Sequence, residues 1–196
     1  MNEKDFYSIK KKLGYCGSWA IWSEVKDTPK SNMGDLSLLD PSINKNLLNE
    51  VNPNIIFVAL NFSRETVMED FANFHDARHI SQDYKIRYAL QGTKLWGGYM
   101  TDIIKNFPEK SSSKMMSFLK KDKKLEIENC QIFTEELSLL KSHQPKIIAF
   151  GNDAFSILQR NFENKFDIMK VPHYANYINK EKYRELLLSL CKNVNV

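Results

Sequence analysis

The chain has 196 residues and a mass of 22.9 kDa, a size that fits one compact domain. Hydrophobic residues make up 42% and charged residues 27%, an ordinary globular composition that argues against a disordered or fibrous protein. The net charge is +4, and seven lysines lie between residues 105 and 124 beside only two acidic residues. This mildly basic balance allows an anionic partner without requiring one.

Several classes of protein are excluded by the sequence. The longest apolar runs, such as residues 55–60, are far shorter than the ~20 residues that cross a bilayer. The charged N-terminus, MNEKDFYSIKKK, lacks the apolar stretch of a signal peptide. Cys16, Cys130 and Cys191 form no CxxC pair, which argues against a zinc ribbon or an iron–sulfur cluster. We therefore expect a reducing cytoplasmic location, no metal and no other cofactor.

The first 53 residues predict mostly helical structure. Apolar residues at helical spacing predict an amphipathic helix over 5–13. Residues 18–22 indicate a short strand or extended edge, and residues 47–48 lie in a short helix between two proline-containing turns. We expect residues 1–53 to be a helical extension of a core formed by residues 54–196.

Four apolar segments of that core predict strands. Residues 55–60 (IIFVAL) form a continuous run rich in β-branched residues, typical of a strand buried on both faces. The other strand segments are 95–100, 146–150 and 166–171. Helical patterns follow or separate the strands at 81–90, 127–140, 152–162 and 180–191. This alternation predicts an α/β fold, a three-layer α/β/α sandwich around a central, mainly parallel four-stranded sheet.

Polar residues follow the predicted strands, where an open parallel sheet binds its ligands. The four strands are followed by Asn61, by Asp102, by Asn152 with Asp153, and by His173. Helix caps and turns favour the same residue types, and this alternative fits Asn152 and Asp153 best. Asn61 and His173 follow buried strands without opening a tight turn, so they are candidate functional residues. A histidine at such a position is also compatible with a purely structural role.

Four segments in this order resemble the uracil-DNA glycosylase superfamily. Residues 56–63 (IFVALNFS) resemble its first motif, and residues 97–110 (GGYMTDIIKNFPEK) resemble its second strand. Residues 133–155 are similar to the helix–strand–helix segment of the iron–sulfur branch. Residues 171–177 (VPHYANY) stand where the His-Pro-Ser motif closes the site. The resemblance covers about residues 54–190.

The chain departs from the superfamily pattern at three places. Phe62 and Ser63 replace the usual Pro and Gly of the first motif, and Tyr174 and Ala175 replace the Pro and Ser of the last. The cluster cysteines of the iron–sulfur branch are missing. The sequence therefore resembles a divergent member without the cluster.

The resemblance implies hydrolysis of the N-glycosidic bond of a base flipped out of DNA, an activity that serves DNA repair. His173 would donate a hydrogen bond to the leaving base, and Asn61 would hold the attacking water without taking its proton. A base would stack on Phe62, Phe71 or Phe74, among which the sequence does not choose, and Ser63 would also contact the base. Each of these aromatic residues is also a candidate core residue.

Asp102 stands where the uracil-reading relatives have an asparagine. An ionised carboxylate supplies only acceptors, so it would repel uracil O4 and accept from adjacent donors, as on guanine or protonated cytosine. We therefore hypothesise that Asp102 reads a base other than uracil, although a proton on the carboxyl would restore a donor. The alternative is that Asp102 caps a helical turn at residues 103–104.

Charged residues suggest further contacts with an anionic substrate. Residues 74–79 form a polar cluster that either contacts phosphates or lies on a solvated face. The candidates for contact with a nucleic-acid backbone are Lys105, Lys114, Lys120 and Lys121. A lysine run is also typical of an ordinary soluble surface. We expect DNA or a nucleotide as the partner, no membrane, and a monomer.

Two rival functions remain open. A non-catalytic nucleobase or nucleic-acid binding protein on the same scaffold would explain the missing Pro, Ser and acidic positions. An unrelated doubly wound hydrolase with His173 as general base is less supported, because the chain has no GxSxG, Walker A or GxGxxG motif. A base-release assay separates the first rival from a glycosylase.

Overall fold

The computed structural model describes residues 1–62, 69–105, 107–142 and 144–191, which fold around a five-stranded sheet. The strands are β1 (Ser18–Trp19), β2 (Asn52–Asn61), β3 (Gly98–Ile104), β4 (Lys146–Phe150) and β5 (Asp167–Val171). Their order is β1-β3-β2-β4-β5, and only the β1–β3 pairing is antiparallel. The α/β class and the mainly parallel sheet are confirmed. The predicted number of four strands is wrong, because β1 adds a fifth strand beside β3.

Helices connect most of the strands. In the described part of the chain they are α1 (Glu3–Leu13), α2 (Leu47–Glu50), α3 (Tyr84–Leu90), α4 (Ser112–Lys121), α5 (Lys123–Leu139), α6 (Asn152–Phe162) and α7 (Lys180–Cys191). The bounds of α6 and α7 are those predicted from the sequence. Helix α4 is not predicted from the sequence, because its many serines and lysines leave only a narrow apolar stripe. Met115 and Leu119 form this stripe four residues apart and are buried against the core.

Alternate residues of β2 pack into two apolar clusters. Ile56 and Val58 belong to a cluster with side chains of α1, α4, α5 and α6. Ile55 and Phe57 belong to a second cluster with side chains of α3 and α7. Since successive strand side chains point to opposite faces, helices cover both faces of the sheet.

Residues 1–53 contribute to the sheet as well as to the helices. β1 pairs with β3, and the rings of Phe6 and Trp19 stack with centroids 6.4 Å apart in the first apolar cluster. The N-terminal ammonium of Met1 donates a hydrogen bond of 2.8 Å to the carbonyl oxygen of Leu48. Among the described residues, no helix is both long and apolar enough to cross a membrane.

A glycine turn joins β4 to α6 and brings the end of β5 close. Gly151 has a φ of +90°, which disfavours other residues. Its N–H donates to the Val171 carbonyl oxygen at 2.8 Å. A Cβ added at this glycine would lie 3.4 Å from the His173 Cβ. The turn therefore positions His173 at the C-terminal edge of the sheet.

Candidate functional site

A cleft of about 680 Å³ opens at the C-terminal edge of the parallel strands. Its lining includes Asn61 at the end of β2, Gly151 after β4 and His173 after β5. Residues from the segments 76–83 and 109–112 complete much of the wall. The volume is within the range of roughly 300–1,000 Å³ that is usual for small-molecule sites. The structure thus brings Asn61 and His173 together, although they are far apart in the sequence.

The imidazole of His173 is held by its neighbours in the chain. The backbone N–H of Ala175 donates to Nδ1 at 3.1 Å. The ring stacks on Tyr174, with centroids 4.3 Å apart, and meets the Phe150 ring edge-on. Because Nδ1 accepts a hydrogen bond, the proton of the neutral ring lies on Nε2. Burial lowers the pKa of His173 to about 4, so the ring is neutral near pH 7.

The side chain of Asn61 holds the segment that follows β3. Its Nδ2 group donates to the carbonyl oxygens of Phe62 and Glu109 at 2.8 Å each, and to that of Phe107 at 3.2 Å. These bonds engage the amide nitrogen and orient the whole side chain. No hydrogen bond from another described residue reaches Oδ1, which leaves this oxygen as an acceptor at the wall of the cleft.

A buried carboxyl group forms another part of the wall. Asp83 is 7% exposed, and its Oδ2 accepts from the backbone N–H of Asp76 at 2.9 Å. Burial raises the pKa of Tyr174 well above its usual range, and the nearby Asp83 carboxylate adds to this shift. The segment before α3 therefore lies close to the loop that carries His173.

An ion pair lies beside this carboxyl group. The Arg78 guanidinium donates through Nε and Nη2 to the carboxylate of Asp76, at distances between 2.7 and 3.0 Å. Both residues line the cleft. The paired carboxylate raises the pKa of Arg78. The polar cluster predicted at residues 74–79 therefore contributes two side chains to the cleft.

Asp102 does not line the cleft. It lies inside β3, is 2% exposed, and its Oδ2 accepts from Asn73 Nδ2 at 2.8 Å. Burial raises the pKa of Asp102 to about 7, and the hydrogen bond from Asn73 opposes this shift. The predicted position after a strand is wrong, because β3 continues through Ile104 and forms no helical turn there. In this conformation Asp102 cannot contact a base in the cleft.

The aromatic residues expected to bind a base have other surroundings. Phe71 and Phe74 are 1% and 3% exposed and belong to the apolar clusters. Phe62 is partly buried and packs against the first cluster. None of these three residues lines the cleft, whereas Phe150 and Tyr174 do. Ser63 lies outside the described residues.

The lysines expected to bind phosphates fall into two groups. The Lys105 ammonium is fully buried, 2.9 Å from a carboxylate oxygen of Glu136, and donates to the Asp102 carbonyl oxygen at 2.6 Å. The prediction that Lys105 contacts a nucleic-acid backbone is therefore corrected, since the ammonium cannot reach a phosphate. The exposed lysines of α4 are Lys114, Lys120 and Lys121.

Several cleft residues do not follow a predicted strand, so the strand-end rule does not identify them. Asp83 and Glu109 belong to loops whose position depends on tertiary contacts, so no local pattern marks them. Tyr174 directly follows His173 in the segment 171–177, and this adjacency is the sequence feature that could have indicated Tyr174 as a cleft residue. Over the part of the chain that the structure describes, no group of three or more His, Cys, Asp or Glu side chains could hold a metal ion.

Comparisons with protein-family models, with curated proteins and with solved structures found no match to this chain. The functional proposal therefore depends on the residues of the cleft.

Proposed function

We propose that the protein is an N-glycosylase-like hydrolase that cleaves the bond between a nucleobase and its sugar. One observation carries the proposal: His173, with a donor at Nε2, and Asn61, with an acceptor at Oδ1, both line one cleft. Among the described residues, neither atom has a hydrogen-bond partner in the protein. The resemblance to the uracil-DNA glycosylase superfamily supports the same pair of residues and the same roles.

The proposed reaction uses water and no cofactor. The C1′–N bond breaks, and the base leaves with the bonding electron pair. A water molecule that donates to Asn61 Oδ1 presents its lone pair to C1′ and forms the new C1′–O bond. One water proton is released to solvent, and the departing base takes up one proton. The products are the free base and the sugar hydroxyl.

His173 contributes to the departure of the base. Negative charge develops on the base as the C1′–N bond breaks, and the N–H of the neutral imidazole donates to the atom that carries this charge. The lowered pKa keeps the ring in this form near pH 7. Because the Asn61 amide cannot accept a proton, it orients the water and does not act as a general base.

A base-release assay tests the proposal. The protein is incubated with oligonucleotides and nucleosides carrying normal, deaminated and alkylated bases, and free base is measured by chromatography. We expect release of at least one base, and a loss of about 10²–10³-fold in kcat for His173→Ala. His173→Gln, which retains an N–H donor, is expected to lose less. His79→Ala, which alters an exposed histidine, is the matched control.

The same assay addresses the rival function. Binding of a base or nucleoside without any base release, measured by calorimetry with the same compounds, would contradict catalysis and assign a nucleobase-binding protein. Equal rates for His173→Ala and His79→Ala, with both variants folded by circular dichroism, would contradict the role of His173.

A further inference from the structure

Glu109 lines the cleft on the segment that follows β3, and its backbone is bonded to the end of β2. The Nδ2 group of Asn61 donates to the Glu109 carbonyl oxygen at 2.8 Å. The backbone N–H of Glu109 donates to the Phe62 carbonyl oxygen at 3.2 Å. Both backbone polar groups of Glu109 are thus bonded to residues 61–62, which fixes the point where its side chain leaves the main chain.

The carboxylate of Glu109 is held through one of its two oxygens. Oε1 accepts from the backbone N–H of Ser111 at 2.9 Å, directly before α4. In the part of the chain that the structure describes, no hydrogen bond or ion pair reaches Oε2. The side chain is half-buried at the cleft. The bond to Ser111 therefore orients the carboxylate and leaves its second oxygen as an acceptor.

The direct bond to Asn61 distinguishes Glu109 within the cleft. Over the described residues, the Asn61 side chain donates to the carbonyl oxygens of Phe62, Phe107 and Glu109. Of these three residues, Glu109 alone carries a side chain that can accept a proton. The amide that would hold the attacking water is therefore bonded to a residue with a carboxylate.

The proposed reaction needs a group that takes up a proton from the attacking water. As the new C1′–O bond forms, the water oxygen becomes positively charged and must lose a proton. Asn61 orients the water but cannot accept this proton, because its side chain is an amide. A carboxylate can accept it when it lies within hydrogen-bond reach of the water, directly or through a second water. Glu109 supplies a carboxylate on the wall that also holds Asn61.

We propose that Glu109 is the general base of the reaction, an inference that rests on the proposed function. The lone pair of the water held at Asn61 Oδ1 forms the C1′–O bond, and one O–H proton of that water passes to Oε2 of Glu109. The electron pair of the broken O–H bond stays on the new hydroxyl oxygen. The C1′–N electron pair leaves with the base, which accepts a hydrogen bond from His173. Glu109 then releases the proton to solvent, so the products are those given above.

Glu109→Gln tests the need for a carboxylate. The amide oxygen of glutamine can still accept from the Ser111 N–H, but it cannot take up a proton. With the oligonucleotide or nucleoside that the wild type cleaves fastest in the base-release assay, we expect kcat and kcat/KM to fall together by about 10²–10⁴-fold. Glu135→Gln is the matched control, because Glu135 is an exposed residue of α5 outside the cleft lining. It should retain the wild-type rate.

Azide separates a chemical role of Glu109 from a structural one. Glu109→Ala removes the carboxylate and leaves space on the wall beside Asn61. Azide is an anionic nucleophile without a proton, so its attack on C1′ requires no general base. We expect sodium azide to raise base release by Glu109→Ala severalfold and to give a 1-azido sugar, identified by mass spectrometry. Sodium chloride at the same concentration should have neither effect.

The outcomes distinguish this inference from the proposed function. Equal kcat values for Glu109→Gln and Glu135→Gln, with base release by the wild type, would overturn the role of Glu109 and leave the proposed function standing. A larger loss for Asp153→Asn than for Glu109→Gln would also overturn it, because another carboxylate of the cleft would then be the base. So would a Glu109→Ala variant that is folded by circular dichroism and does not respond to azide. Release of no base by the wild type would overturn the proposed function, and this inference with it.

Discussion

The imidazole of His173 is fixed in one tautomer by a single backbone contact, the N–H of Ala175 on Nδ1. A protonated ring would carry a hydrogen on both nitrogens and would lose this contact. The stacking on Tyr174 and the contact with Phe150 further restrict the ring. Tautomer, orientation and charge state of His173 are therefore set together.

The depressed pKa of His173 predicts a loss of stability in acid. The folded state keeps the ring neutral between pH 6.5 and about 4, whereas the unfolded chain takes up a proton in this range. The contribution of His173 to the free energy of unfolding should therefore fall as the pH decreases, by about 2–3 kcal/mol in total. Denaturant unfolding of the wild type and of His173→Gln from pH 7 to about pH 4 measures this contribution. An equal change in the free energy of unfolding with pH in both proteins would contradict it.

Asn61 is expected to be required for its nitrogen as well as for its oxygen. Asn61→Asp would place a carboxylate against the carbonyl oxygens that now accept from Nδ2. The free energy of unfolding should fall by about 2 kcal/mol or more, because the donor is lost and acceptors face each other. Asn54→Asp is the control, since Asn54 is exposed and uses its oxygen as acceptor from Ser142. Comparable unfolding midpoints for the two variants would contradict this assignment.

Among the secondary-structure elements, strand β3 and helix α5 are joined by the buried carboxylate of Glu136. Glu136 of α5 accepts from the hydroxyls of Tyr99 and Thr101 at 2.7 and 2.8 Å, and pairs with Lys105 at 2.9 Å. Both charged side chains are fully buried. Hydrogen bonds to the remaining acceptor sites are what make such a buried pair tolerable.

Breaking this pair on one side should be costly. Lys105→Met leaves the Glu136 carboxylate buried without its cation, and we expect a loss of about 3–5 kcal/mol in the free energy of unfolding. The double variant Lys105→Met/Glu136→Gln should recover a substantial part of that loss, because no uncompensated charge remains. A double-mutant cycle by denaturant unfolding measures the coupling. Additive losses would show that the two side chains do not depend on each other.

The elements that the sequence predicts best are those with an uninterrupted apolar pattern. The buried run of β2 and the stripes of α6 and α7 lie where the pattern places them. The predicted strand at 95–100 begins and ends earlier than β3 (Gly98–Ile104), because Thr101 and Asp102 resemble the start of a loop. Their polar groups are satisfied by Glu136 and Asn73, which come from distant parts of the chain. No local pattern reveals such partners.

The candidate site was predictable to a similar extent. The strand-end rule identifies Asn61 and His173, because the ends of parallel strands meet at one edge. It fails for Asp102, whose strand continues beyond the expected end. The rule does not predict Asp83, which precedes α3 and accepts a hydrogen bond from the backbone N–H of Asp76.

For the complete fold, Asp102 and His173 change the free energy of unfolding with pH in opposite directions. The raised pKa of Asp102 means that the folded state retains a proton between pH 3.8 and about 7, where the unfolded chain has lost it. This contribution to stability decreases as the pH rises through that range. The contribution of His173 increases over much of the same range. The stability of the wild type should consequently vary little between pH 4 and pH 6.5.

Asp102→Asn is expected to expose the effect of His173. The amide keeps an acceptor for Asn73 and removes the titrating carboxyl, so the variant gains stability relative to the wild type as the pH rises. The gain should grow by about 2–3 kcal/mol between pH 5 and pH 8. Unfolding midpoints at several pH values measure it. A gain that is constant with pH would contradict the buried, titrating role of Asp102.

The two outer strands limit how the sheet can be extended. β1 has only two residues, so a strand from another chain could form few backbone hydrogen bonds with it. β5 carries Asp167 and Lys170 along its length, and charged side chains on an outer strand discourage pairing with another chain. Both borders thus oppose intermolecular β-pairing, and the fold is protected against this route to aggregation even at high protein concentration.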